Sequence, residues 1–485
     1  MPLPLALPPL DPTRPEPLHR QLTQSLREAI IEGRLAPGSR LPSSRALAGQ
    51  LGLSRNTVTT AFVQLQDEGF LEGRHGSGTL VALPPEPPKA PPLPAPDQSD
   101  SRRSLSRLGE GLRQTPSPLI RHSLLPLSAG ATALDAFPAR DWSRILARRW
   151  RRPSRELLGQ VTAAGYLPLR QAIAEHLGGA RAVRCTADQV IITSGGQQGL
   201  ELAARLLLNP GDEALVEDPG YSGLRGVLRG LEALPAPVPV DGQGFDPALA
   251  ERLHPAARLA CVTPSHQFPT GATMPAERRL SLIAWAGRVG GWIIEDDYDS
   301  DFRYAGPPLA ALQGLDRNMR TLYCGSFSKS MFPALRLGFL VVPPDLLEPL
   351  LNLRRLADTA PSILPQAAMA DFMAEGHFAS HLRRMRQLYG ERRQALQEAA
   401  ARHLSGLAEV TAGDAGTHAI AWLKDGCDDI TLAESALAAD IAPQALSRNR
   451  LLPGPPALIL GYGNTPAERM EAVVAKLAEI ITHIN

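Results

Sequence analysis

The chain has 485 residues, 44% of them apolar and 20% charged, with 50 Lys plus Arg against 49 Asp plus Glu and a formal net charge of +1. That length exceeds the roughly 100–200 residues of a usual domain and predicts at least two cores, while the near-neutral balance excludes a global polycation, so any nucleic-acid contact must come from a local basic surface. Cys185, Cys261, Cys324 and Cys427 stand singly, which argues against a zinc site or a disulfide scaffold, and the absence of a basic leader or a long uncharged apolar run makes a soluble, cytoplasmic, metal-free protein the expectation.

Leu18 through Ile31 predicts a helix with Leu18, Leu22, Leu26, Ile30 and Ile31 on one apolar stripe and Gly33 as its stop. Ser43 or Ser44 then caps a short helix from Arg45 to Leu51, Gly52 breaks it, and Ser54 caps a third helix from Arg55 to Leu65. Two short helices about a glycine-containing turn make a helix-turn-helix. The third helix turns Val58, Phe62 and Leu65 inward and leaves Arg55, Asn56, Thr57 and Thr59 near its amino-terminal end, where bases and phosphates are met. Gly69–Val81 reads as strand, glycine-rich tip and strand, with Gly76 and Gly78 permitting close backbone approach to a phosphate.

The segments Gly38-Ser39-Arg40-Leu41-Pro42-Ser43-Ser44-Arg45, Ser54-Arg55-Asn56-Thr57-Val58 and Gly76-Ser77-Gly78-Thr79 resemble the GntR-type winged-helix domain of bacterial transcription regulators. The resemblance implies that Arg45, Arg55, Asn56, Thr57 and Gly76 contact DNA; Thr59 joins them by its position on the helix.

Prolines dominate Leu83–Pro94, and polar and basic residues follow, so residues 83–114 are expected to form a semi-rigid linker. Beyond it, amphipathic helical patterns such as Leu169–Leu177 alternate with short apolar runs, including Gln189–Thr193, Arg258–Val262 and Gly291–Ile294. That alternation predicts an α/β domain with a mostly parallel sheet. The basic run Ala147–Pro153 offers cations for a DNA backbone, although a solvated helix face is the plainer expectation.

After the first of those strands, Thr193–Leu200 forms a glycine-rich turn into a helix, able to aim backbone N–H groups at an anion. Lys329 adds an amine that can form a Schiff base, and Arg336 a bidentate cation for phosphate oxygens. Pyridoxal phosphate needs all three. Trp292–Tyr298 ends a buried strand in acids and a tyrosine, so Asp296 is suited to keep a pyridine nitrogen protonated and Tyr298 to bond a phenolic oxygen, while Tyr221 can stack on the ring.

At these residues the chain resembles a fold-type I aminotransferase, and with its amino-terminal domain it resembles the MocR subfamily of regulators. Thr263–Gly271, Glu295–Tyr304 and Gly325–Gly338 carry the likeness. It implies Lys329 as the internal aldimine, Asp296 on the pyridine nitrogen, Tyr298 on the phenolic oxygen and Tyr221 as stacking partner. Ser194, Gly195, Gly196, Gln197, Ser326, Ser328 and Arg336 are then expected around the phosphate, and Arg448 or Arg450 on the carboxylate of an effector. Phe268 departs from the pattern, since an asparagine that contacts the ring oxygen commonly stands there.

The expected architecture is therefore an α/β protein in which a winged helix-turn-helix over 12–82 is joined by a Pro-rich linker over 83–114 to a fold-type I, pyridoxal-phosphate-dependent aminotransferase-like domain over 115–485. The expected function is operator binding governed by an amino compound or by pyridoxal phosphate itself, sensed at Lys329 in a homodimer. The alternative is a working aminotransferase with an attached DNA-binding domain.

Overall fold

A computed structural model describes residues 10–74, 78–82, 105–106, 108–110, 124–159, 162–304, 306 and 309–484, with Arg74 and Glu156 described by their backbone alone. The chain divides into two compact units, Met1–Leu105 and Ser106–Asn485. Gly76 and nearly all of the 83–114 stretch lie outside the described residues.

In the first unit, helices α1 (Leu18–Ile31), α2 (Ser44–Leu51) and α3 (Arg55–Asp67) precede an antiparallel hairpin of β1 (Leu71–Arg74) and β2 (Gly78–Val81). Ser43 caps α2 by accepting from the Ala46 N–H, Gly52 ends it in the left-handed region at φ 66°, and Ser54 caps α3 by accepting from the Thr57 N–H. Leu22, Leu26, Ile30, Leu47, Val58, Phe62, Leu65, Leu71 and Val81 form one core. Ile31 departs from the expected stripe. At 67% exposed it faces solvent, because it sits one helical step of about 100° beyond Ile30.

The second unit is built on a seven-stranded sheet in the order β3 (Val190–Thr193), β9 (Gly338–Val341), β8 (Thr321–Ser326), β7 (Trp292–Asp297), β6 (Leu259–Val262), β4 (Glu213–Asp218), β5 (Leu234–Pro239). Only β9 runs against its neighbours; all other pairings are parallel. The strands β4, β6, β7, β8 and β3 consequently end on one edge of the sheet, where open α/β folds present their binding groups. Runs such as Val190–Thr193 are buried throughout, as expected of a sheet covered on both faces.

A smaller antiparallel sheet, in the order β10 (Ala408–Thr411), β11 (His418–Leu423), β13 (Ala457–Gly461), β12 (Gln444–Ala445), packs with the helices His377–His403, Asp429–Ala438 and Ala467–Ile484. The basic run at 147–153 is not simply a solvated face. The Arg149 Nε donates to the Asp371 carboxylate at 2.7 Å, and Arg148 pairs with Asp371 at 3.0 Å and with Glu375, so two of its cations tie Ala139–Arg151 to Ile363–Ala374. Among the described residues no helix is long and apolar enough to cross a membrane.

Candidate functional site

Four adjacent parallel strands deliver the site. Tyr221 follows β4, His266 and Phe268 follow β6, Asp296 and Tyr298 close β7, and Lys329 follows β8. From the far side of β9, Ser194 and Gly195 lead into the helix Gly196–Leu207, and Arg336 enters β9 itself.

The Lys329 Nζ donates to the Gly130 carbonyl at 2.5 Å. Gly130 has φ +76°, and a Cβ there would stand 2.3 Å from that nitrogen, so the position requires glycine both for its backbone and for room. Burial holds the ammonium below the usual lysine range, with Asp299 and Asp296 opposing the shift. The Asp296 carboxyl makes no hydrogen bond or ion pair among the described residues, and burial, then Asp297, Glu217 and Asp299, pushes it up to about 7. An acid so placed lacks a cationic donor, which is what a protonated pyridine nitrogen supplies.

The Tyr298 hydroxyl lies 2.9 Å from the His266 Nδ1, which in turn lies 3.0 Å from Asp299. Burial, followed by Asp299 and Asp296, lifts the phenol well above its ordinary pKa. The His266 Nε2 is buried and unpartnered. Phe268 meets Tyr298, His418 and Tyr221 edge-on at 5.7, 5.6 and 6.3 Å between ring centroids. The polar companion of Tyr298 is thus His266, two residues before the phenylalanine that departs from the aminotransferase pattern. Behind it, Glu217 accepts from the Thr263 hydroxyl at 2.5 Å and from Gln267 at 3.1 Å, and burial pushes this acid up to about 7.

An anion cradle faces this cluster. Gly195, at φ +104°, begins the helix Gly196–Leu207 without a side-chain cap, and its missing Cβ would lie 3.5 Å from the Arg336 guanidinium. The Arg336 guanidinium makes no hydrogen bond or ion pair among the described residues. Ser326 donates to the Ser328 hydroxyl at 3.0 Å, while the Gln197 amide donates to the Gly223 carbonyl and leaves its oxygen buried and unpartnered. Free helix N–H groups, two hydroxyls and an uncommitted guanidinium suit a phosphate, so the residues present fit pyridoxal phosphate.

In the first unit, Arg45, Arg55, Asn56 and Thr59 are exposed and Thr57 is half-buried. Thr57 shares its hydroxyl with Ser54 at 2.8 Å, and Thr59 donates its own to the Arg55 carbonyl at 2.9 Å. Arg40, not singled out from the sequence, pairs as an isolated bridge with Leu80 and lays its guanidinium beside Gly78. Arg40, Arg45 and Arg55 have no ion-pair partner among the described residues, whereas Arg27 and Arg34 are paired with Glu68 and Glu32.

Comparison with known proteins agrees with both halves. Residues 18–81 match the model of bacterial regulatory proteins of the gntR family, and residues 124–416 match aminotransferase class I and II. The chain is 38% identical over 478 residues, 96% of its length and 94% of the relative's, to the probable rhizopine catabolism regulatory protein MocR of Rhizobium meliloti. This chain belongs to the MocR-type regulators of the gntR family. It is likewise 35% identical over 401 residues, 82% of its length and 81% of the relative's, to the pyridoxine biosynthesis transcriptional regulator PdxR of Corynebacterium glutamicum. Its larger unit is similar to LysN, an α-aminoadipate aminotransferase of Thermus thermophilus, with a TM-score of 0.71 at 27% identity over 78% of this chain and 97% of that one. The protein is a DNA-binding transcription regulator with an aminotransferase-like domain, and that fold implies pyridoxal phosphate.

Of the two arginines expected on an effector carboxylate, Arg448 is paired, whereas the Arg450 Nε is buried without a hydrogen-bond partner among the described residues. Arg448 is exposed and pairs with Glu434 at 2.6 Å. Arg450 turns its guanidinium onto Gly454, and its charge faces Asp218 and Asp429. Arg225 donates to the backbone carbonyls of both.

Proposed function

We propose that the amino-terminal unit reads operator DNA through Arg45, Arg55, Asn56, Thr57, Thr59 and Gly76, and that the larger unit senses an amino compound or the cofactor itself at Lys329. In this reading the larger unit holds pyridoxal phosphate with Lys329 as the amine that engages its aldehyde, Asp296 at the pyridine nitrogen, Tyr298 at the phenolic oxygen and Tyr221 against the ring. Ser194, Gly195, Gly196, Gln197, Ser326, Ser328 and Arg336 surround its phosphate. When bound, the cofactor supplies an aldehyde that condenses reversibly with amines.

The observation that carries this reading is the meeting of Lys329, lowered in pKa and held on Gly130, with Asp296, a carboxyl that lacks a donor. The lowered pKa favours the neutral, nucleophilic form of Lys329, and Asp296 is available to a cation. His266 and Asp299 orient the Tyr298 hydroxyl. The unpaired Arg40, Arg45 and Arg55 support the DNA half, since phosphate contacts call for uncommitted cations.

We place the protein in the cytoplasm as a homodimer, whose two readers favour paired half-sites. An effector that prefers one arrangement of that dimer then shifts its affinity for DNA. Turnover as an aminotransferase is the second reading, favoured by the Lys329, Asp296 and Tyr298 set; repeated conversion of an amino donor and a keto acid separates it from sensing. Borohydride reduction of the protein with pyridoxal phosphate, followed by peptide mass analysis, tests the site: an adduct on Lys329 is expected, and an adduct elsewhere or none overturns it.

A further inference from the structure

An apolar cluster adjoins the Phe268 side of the site. Ile420 on β11 and Ile459 on β13 are paired in register and buried, and with Leu446 and Ala457 they form a cluster against which Ala129 and Phe268 pack. Ala129 adjoins the glycine that holds Lys329, and Phe268 contacts Tyr298 and Tyr221, so this cluster borders the reactive end of the site. The other neighbours there are imidazoles and acids. Burial, followed by the neighbouring His266, lowers the His418 pKa to about 4, and its Nε2 is engaged by the Pro269 carbonyl at 2.8 Å. The charges that bear on Lys329 are Asp299 and Asp296.

An effector carboxylate entering this space would meet two acids and an apolar cluster. Arg448 and Arg450 face Glu434, Asp218 and Asp429 instead. Arg393, on the neighbouring helix His377–His403, donates to the Ala412 carbonyl at 3.3 Å and lies over the Tyr304 ring. Among the described residues, the hydrogen-bond, ion-pair and ring partners of Lys329, Tyr298, His266, Phe268 and Tyr221 include no arginine. Burying an acid group without a paired cation is strongly unfavourable.

We propose that the effector is a primary amine carrying no carboxylate, sulfonate or other anionic group, an amino alcohol or alkyl amine whose carbon skeleton packs on Phe268, Ile420 and Ile459. The proposal rests on the cofactor reading above. In that reading the effector amine would compete with the Lys329 amine for the cofactor's aldehyde, one amine replacing the other with no oxidant or net water required, while Phe268, Ile420 and Ile459 would hold the effector's carbon skeleton.

The test titrates the cofactor-loaded protein, followed by its visible spectrum, with matched pairs: 4-aminobutan-1-ol against γ-aminobutyrate, and ethanolamine against glycine. Each alcohol should half-saturate at a concentration at least about tenfold below its acid, the scale of one unpaired buried charge. In Ile459→Arg the order should reverse toward γ-aminobutyrate, and Ile420→Arg provides a second site for the same gain if the first variant misfolds. An acid that binds as tightly as its alcohol overturns the proposal, as does a spectrum that hydroxylamine changes and none of these amines does. Absence of any cofactor band before amine is added overturns the cofactor reading and this proposal with it.

Discussion

The His266 Nδ1 stands 2.9 Å from the Tyr298 hydroxyl and 3.0 Å from Asp299, so one buried imidazole links an acid on the loop after β7 to the phenol proposed to meet the cofactor's ring oxygen. Replacing His266 by Ala removes the group that aims the hydroxyl while leaving Lys329 and Arg336 in place. Cofactor affinity should fall about fivefold, the worth of roughly one hydrogen bond, and the pH titration of the bound chromophore should shift. Equilibrium dialysis and a spectral titration check both. An unchanged titration would reduce His266 to packing.

Arg55 and Lys329 should be separable. Arg55→Ala should weaken binding to a specific duplex by about 1–3 kcal/mol if the side chain reads a base, or lower the salt slope by about 1 if it holds a phosphate. The visible spectrum of the cofactor-loaded protein should not change. Fluorescence anisotropy at several salt concentrations distinguishes the two contacts.

Buried acids set the pH response of the cofactor-free protein. Burial raises the folded-state pKa of Asp296 to about 7, above its unfolded value near 4. Its contribution to stability is therefore fully present below about pH 4 and is lost as pH rises through about 7. Asp296→Asn should remove that decline, so that urea midpoints of variant and parent agree at low pH and diverge toward neutrality. A constant difference across the range would contradict the assignment.

Asp297 acts with the opposite sign. Burial alone would raise its carboxyl, but Arg181 at 2.9 Å and hydrogen bonds from Ser300 and Tyr323 outweigh it and hold the group below the usual carboxylate range. Its stabilisation is present above about pH 4, the unfolded value, and is lost as pH falls through its lower folded pKa. Arg181→Ala leaves this carboxylate buried without its cation and should cost about 3–5 kcal/mol in urea unfolding at neutral pH, less under acid.

Much of the site was legible because its parts are local in sequence. Lys329 and Arg336 fall in one loop, Asp296 and Tyr298 at one strand end, and Ser54 with Arg55 at one helix start, each tied to a short-range rule of strand ends or caps. What escaped depends on distance along the chain. Gly130 meets Lys329 across 199 residues through a backbone carbonyl, which no side-chain pattern announces. His266 and Asp299 lie in stretches that were read as characteristic, yet their pairing across 33 residues follows only from β6 and β7 ending side by side. The arginines at 148 and 149 read as solvated because Asp371 and Glu375 are over 200 residues away. Ile459 stayed silent because an apolar strand residue resembles any other until Phe268 is seen packed against the cluster it belongs to.

The central claim is that chemistry at Lys329 changes affinity for DNA. The direct measurement is binding of a duplex, selected by the protein from a random pool, with and without an amine that alters the cofactor's spectrum, in the parent protein and in Lys329→Ala. Affinity of the parent should change by about 5–150-fold, the range of a coupling of 1–3 kcal/mol, and the variant should bind the duplex with no response to the amine. An equal response in the variant, or none in the parent, would contradict the account.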